Sequence, residues 1–120
     1  MESAYVITRE QHLFFEENGY LVITNALNEQ EIENHKFWAQ TAHDLPRVKE
    51  ACDYLQYDEI NKNGERVLCR VENFTTAVPG FNSLLRGMKL VSIVSQLANG
   101  HMVLFKDKCE SYPFKFSRLC

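Results

Sequence analysis

The chain has 120 residues, enough for one domain and too few for two. Its hydrophobic share of 45% and aromatic share of 12% exclude a disordered polypeptide, and roughly two thirds of the unfolded surface can be buried at this size. The net charge of −3 comes from interleaved acids and bases, with no basic stripe, which excludes binding to nucleic acid through phosphate neutralisation.

The first predicted helix covers residues 9–18. Thr8 caps it, Gln11 completes a capping box, and Gly19 stands where the chain must leave the helix. Tyr20–Ile23 is short, apolar and β-branched, and reads as a strand. Asn28 opens a second helix with Glu31 at the box position. Ile32, His35, Ala39 and Ala42 share one face of it, with Trp38 beside them, and Leu45-Pro46 ends the run. Residues 47–57 are irregular or short helical, passing into a strand near Tyr54–Glu59. Asn61-Lys62-Asn63-Gly64 is a hairpin turn leading into a strand over Arg66–Val71. Pro79-Gly80 reads as a break. From Gly87 to Ala98, Leu90, Ile93, Val94 and Leu97 recur at helical spacing, Asn99-Gly100 closes the helix, and His101–Phe105 reads as a further strand. Helix, strand, helix, hairpin, helix, strand is an α+β order, with helices laid against one face of a sheet. Residues 109–120 show no clean period and no cap, and are expected to form a divergent tail.

Residue chemistry points to no complete site. There is no Gly-x-Ser-x-Gly elbow, and five scattered glycines build no phosphate loop. The cysteines Cys52, Cys69, Cys109 and Cys120 include no Cys-x-x-Cys pair, and without a secretory leader they are expected to be free thiols in the cytoplasm. Ser117-Arg118-Leu119 resembles a peroxisomal address, but Cys120 follows it and such a signal must be terminal. No apolar run reaches membrane-spanning length. None of His12, His35, His43 and His101 has an acid two residues later, so the short His-x-Asp/Glu segment of many non-haem iron sites is missing. His12 and His43 read as surface residues, His35 as a helix-face residue and His101 as a strand start.

The ordered set Phe14-Phe15-Glu16-Glu17-Asn18-Gly19-Tyr20-Leu21-Val22-Ile23, Leu27-Asn28, Gly64–Phe74, the Leu90–Leu97 helix and Met102–Lys108 resembles the phytanoyl-CoA dioxygenase family. The resemblance covers about residues 8–108. It implies the amino-terminal helices and first strands of a double-stranded β-helix, left incomplete, with residues 1–108 as one part and 109–120 as the tail. Members use Fe(II) and 2-oxoglutarate to hydroxylate small molecules. The resemblance carries cosubstrate contacts onto Arg70, Met102 and Lys106. From the residues alone, Arg70 is a solvated strand residue and Met102 a core residue. The iron ligands of the family have no counterpart here, because the sequence departs from the pattern after Lys108. The expectation is therefore a truncated, inactive oxygenase fragment that binds no metal or cosubstrate by itself and takes a small-molecule substrate only when completed. The alternative is a non-catalytic module that associates with a full-length relative through open strand edges.

Overall fold

The computed structural model describes residues 3–47 and 53–110. Helix α1 is Arg9–Asn18 and helix α2 is Glu29–His43. Strands β1 (Leu55–Ile60) and β2 (Arg66–Glu72) form a hairpin. Helices α3 (Pro79–Leu85) and α4 (Met88–Leu97) follow, and strand β3 (Lys108–Glu110) comes last. One antiparallel sheet runs in the order β1-β2-β3. The architecture is α+β.

The helix ends form as their local chemistry dictates. The Thr8 hydroxyl accepts from Gln11 N–H while the Gln11 side chain accepts from Thr8 N–H. Asn28 and Glu31 repeat the exchange at the start of α2. Gly19, at φ 77°, takes the left-handed turn that ends α1. At the hairpin, Gly64 N–H donates to Asn61 C=O, and Asn61 Oδ1 accepts from the N–H groups of Asn63 and Glu65. This is a tight turn followed by a left-handed Gly64.

The core lies between α2, α3 and one face of the sheet. Ala42, Leu68, Val71, Phe74 and Val78 are buried together, with Trp38, Leu45, Tyr54, Phe81 and Cys109 packed against them. Leu68 and Val71 are three apart, which a regular strand would send to opposite faces. The pairing shifts from Tyr57↔Arg70 to Asp58↔Leu68, leaving Cys69 as an extra residue. That bulge returns both apolar side chains to the core. Three aromatic rings join the layers: Trp38 meets Phe81 at 6.0 Å, and Phe81 meets Phe74 at 5.4 Å.

Two predicted strands and one predicted break come out differently. Tyr20–Ile23 pairs with no strand among the described residues. Its β-propensity expresses fit to a half-buried pleated surface. Here Tyr20 and Val22 are exposed, and Tyr20 instead packs edge-on against Phe14 at 5.3 Å. His101–Phe105 is likewise unpaired among the described residues, so His101 starts no strand. The third strand forms further along, at Lys108–Glu110, across position 108. Pro79-Gly80 does not break the chain but opens α3, with Pro79 in the first turn, where its missing N–H costs nothing. Residues 48–52, within the segment read as irregular, and 111–120 of the tail lie outside the described residues, as do Cys52 and Cys120.

His12 is more than a surface residue. Its Nε2 lies 3.1 Å from both Gln96 O and Asn99 Oδ1, pinning α1 to the end of α4. Ser92 and Gln96 of α4 also hold the backbone of residues 5–7. Lys89 reaches Glu31 Oε1 at 2.6 Å and Ala26 O at 3.0 Å, tying α4 to the start of α2. The Lys89 ammonium, and then the Asn28 N–H, hold the Glu31 carboxyl below its usual range.

Gly80 approaches the Trp38 ring so closely that an added Cβ would overlap the indole. Gly80→Ala is therefore expected to destabilise the protein by about 1–3 kcal/mol through overpacking. In an open helix position the same change would stabilise by up to about 1 kcal/mol. The sign of the shift in a urea or thermal melt checks the packing.

Candidate functional site

The register of the sheet sorts its side chains by face. Gln56, Val71 and Cys109 lie opposite one another across the three strands, on the core face. Tyr57, Arg70 and Glu110 form one cross-strand row on the other face, and Leu55, Glu72 and Lys108 form the next.

On that second face Arg70 and Glu72, two apart on β2, point the same way. Arg70 Nε lies 3.1 Å from Glu72 Oε1, and Lys106 Nζ lies 3.0 Å from Glu72 Oε2. The Glu72 side chain is only 7% exposed. A carboxylate so withdrawn from water needs compensating charge, and each of its oxygens faces a cation. The Arg70 guanidinium carbon sits 4.2 Å from the centre of the Tyr57 ring, a stacked cation–π contact. Although Arg70 Nε is at ion-pair distance from Glu72, it is buried without a hydrogen bond. The attraction is coulombic, and Nε is left without a hydrogen-bond partner.

Asp107, one residue beyond Lys106, fixes the neighbouring loop. It is buried, and accepts from Phe74 N–H at 2.8 Å and Thr75 Oγ1–H at 2.9 Å. Asn73 N–H reaches the Asp107 carbonyl at 3.4 Å. These bonds hold β3 and Lys106 against the end of β2.

The three residues onto which the family resemblance carries cosubstrate contacts are thus placed unequally. Arg70 and Lys106 converge on Glu72. Met102 lies after α4, half exposed, with its N–H bonded to Ser95 Oγ at 3.0 Å. No hydrogen bond or ion pair links it to the other two among the described residues. Glu72, Tyr57 and Asp107 were not singled out from sequence. The Arg70-x-Glu72 spacing on a strand is the one signal that would have found Glu72. Nothing local marks Asp107.

For metal chemistry, the described residues bring together no group of three or more His, Cys, Asp or Glu. An iron ion has no ligand set among them, so no chemical step is assigned to one. Cys69 and Cys109 are free, half-buried thiols. Burial, and then the Glu110 charge, push the Cys109 thiol above its usual range, away from the thiolate a nucleophile needs. No helix among the described residues is long and apolar enough to cross a membrane.

What the arrangement can do is hold an oxyanion. A guanidinium and an ammonium are brought to one buried carboxylate on the sheet face away from the core, and the Arg70 and Lys106 side chains are 36% and 53% exposed. No family model matches the chain. No solved structure matches it. It is 33% identical over 108 residues to a 2-aminoethylphosphonate dioxygenase from Uncultured bacterium HF130_AEPn_1, an alignment taking in 88% of this chain and 40% of that protein. Over most of its length, then, the chain is similar to a dioxygenase, and it spans well under half of that relative.

Proposed function

We propose that the chain is the amino-terminal part of an Fe(II)- and 2-oxoglutarate-dependent oxygenase of the phytanoyl-CoA dioxygenase type, which hydroxylates a small molecule in the cytoplasm. Its helices and three strands then belong to a double-stranded β-helix whose remaining strands and iron ligands come from further sequence, and residues 1–108 alone are inactive. Arg70 and Lys106 bind the cosubstrate carboxylate, with Glu72 holding both cations and Met102 packing beside the cosubstrate. The observation that carries this reading is the convergence of Arg70 and Lys106 on Glu72, with Arg70 Nε buried and lacking a hydrogen bond. The similarity to a dioxygenase supports it.

The test is an anaerobic titration with Fe(II) and 2-oxoglutarate, read by the visible charge-transfer band of the bound pair. The chain alone is expected to give none, and a stoichiometric band would refute the inactive reading. A chimera joining residues 1–108 to the remainder of the 2-aminoethylphosphonate dioxygenase is expected to give the band. Arg70→Ala in that chimera is expected to raise the 2-oxoglutarate concentration required by roughly tenfold or more, since a charge-assisted bond contributes about 1.5–3 kcal/mol. A chimera that melts cooperatively and gives no band overturns the proposal.

A second reading, a module that pairs with a full-length relative, draws on the unpaired segments 20–23 and 101–105. They leave Val22, Val103 and Phe105 exposed. Its expected result is co-elution of the chain with the full-length relative in size-exclusion chromatography. Separate elution of a folded monomer counts against it.

A further inference from the structure

A carboxylate is a costly neighbour for a site that is to hold an anion, yet Glu72 stands in the middle of this one. Its side chain is almost fully buried, with Arg70 Nε 3.1 Å from one oxygen and Lys106 Nζ 3.0 Å from the other. Two cations set against one carboxylate leave a single positive charge uncompensated. The other charged groups of this face, among the described residues, do not raise that balance. Lys108 and Glu110, on the adjoining strand, pair with each other at 2.7 Å. Asp107, next to Lys106, is a further buried acid, turned to Phe74 N–H and Thr75 Oγ1–H. Glu59 lies further along β1, opposite Val67. Burial makes the balance count, because charges withdrawn from water are only weakly screened by salt.

We propose that Glu72 determines the charge of the ligand taken on this face: Arg70 and Lys106 accept a singly charged oxyanion and reject a doubly charged one of similar shape. A monoanion brings the cluster to neutrality. A dianion leaves excess negative charge beside a carboxylate that water hardly reaches, where the repulsion is strong. Discrimination needs a repulsive group as well as attractive ones, and Glu72 supplies it while holding both cations in place. Sulfate and doubly charged phosphates, which a guanidinium and an ammonium otherwise bind well, are thereby kept out. The location of the anion rests on the reading above, in which Arg70 and Lys106 take an oxyanion. Its permitted charge follows from Glu72.

The experiment titrates the chain with methanesulfonate and with sulfate at matched ionic strength, following the Arg70 Nε–H resonance by NMR. The two anions share a tetrahedral sulfur and differ by one unit of charge. Methanesulfonate is expected to shift the resonance saturably, and sulfate to bind roughly threefold or more weaker despite its larger charge. In Glu72→Gln the ratio of sulfate to methanesulfonate affinity is expected to rise about tenfold or more. A role for Glu72 confined to holding the cations would weaken both anions alike and leave that ratio unmoved. Lys106→Gln, at an exposed side chain, lowers the balance by one charge and is expected to move the ratio the other way. It keeps the test open where Glu72→Gln folds poorly. Tighter binding of sulfate than of methanesulfonate by the parent, an unmoved ratio in either folded variant, or an Arg70 resonance that neither anion shifts overturns the proposal. Anion binding in the expected order without a charge-transfer band in the chimera would sink the oxygenase reading and leave the charge rule standing; a band together with a preference for sulfate would do the opposite.

Discussion

Replacing Phe74 with Ala is expected to lower the unfolding free energy by about 3–5 kcal/mol, the largest loss for any single side chain of this core. Phe74 is 3% exposed and sits where three layers meet. Its ring packs edge-on against Phe81 at 5.4 Å, and through Phe81 it supports Trp38 of α2. Its backbone N–H is held by Asp107, and its carbonyl accepts from both Ala77 and Val78 N–H just before α3 begins. Truncation therefore opens a cavity between helices and sheet. A chain of this size has about 5–15 kcal/mol of stability in total, so the loss is a large fraction of it. Urea denaturation of parent and variant measures the effect. Phe74→Leu, which keeps most of the volume, is expected to cost under about 2 kcal/mol. Near-equality of the Ala and Leu variants would show that the core is not organised around this ring.

The second large effect is expected at Asp107. Asp107→Ala should cost about 2–3 kcal/mol, because it leaves Phe74 N–H and the Thr75 hydroxyl buried without their acceptor. Asp107→Asn keeps one acceptor oxygen and should cost roughly half as much. Hydrogen exchange gives the sharper readout. The Phe74 amide should lose protection in Asp107→Ala, while the amides of α1, which touch none of these groups, keep theirs. An unchanged Phe74 amide would mean that the carboxylate does not hold the loop. The consequence reaches the candidate site, because Asp107 follows Lys106 and precedes β3. Loosening it is expected to weaken the hold of Glu72 on Lys106, and with it the arrangement that gathers cations on the sheet face.

The features legible in the sequence are those whose causes lie within a few residues. Thr8 with Gln11, and Asn28 with Glu31, announce α1 and α2 because a capping box is closed by residues three apart. The Leu90–Leu97 face announces α4 because helical period is a local property. The turn at Asn61–Gly64 announces the β1–β2 hairpin because only a left-handed residue closes it. Arg70 and Lys106 were reached through the resemblance carried by their neighbouring residues.

What lies between them was not legible, because it depends on residues far apart in the chain. Tyr20–Ile23 and His101–Phe105 have strand composition, but a strand exists only where a second one lies alongside it, and composition cannot supply that partner. The bulge at Cys69 is decided by the register against β1, and it turns Leu68 and Val71 to the core and Arg70 and Glu72 to the opposite face. Gly80 gains its meaning from Trp38, 42 residues earlier, and Asp107 from Phe74, 33 residues earlier. By itself the sequence determined where α1, α2 and α4 lie, while α3 was missed because Pro79-Gly80 read as a break. Only the tertiary structure decided that Arg70 and Lys106 share one buried carboxylate, since burial, register and charge pairing are set by contacts between segments that do not meet until the chain has folded.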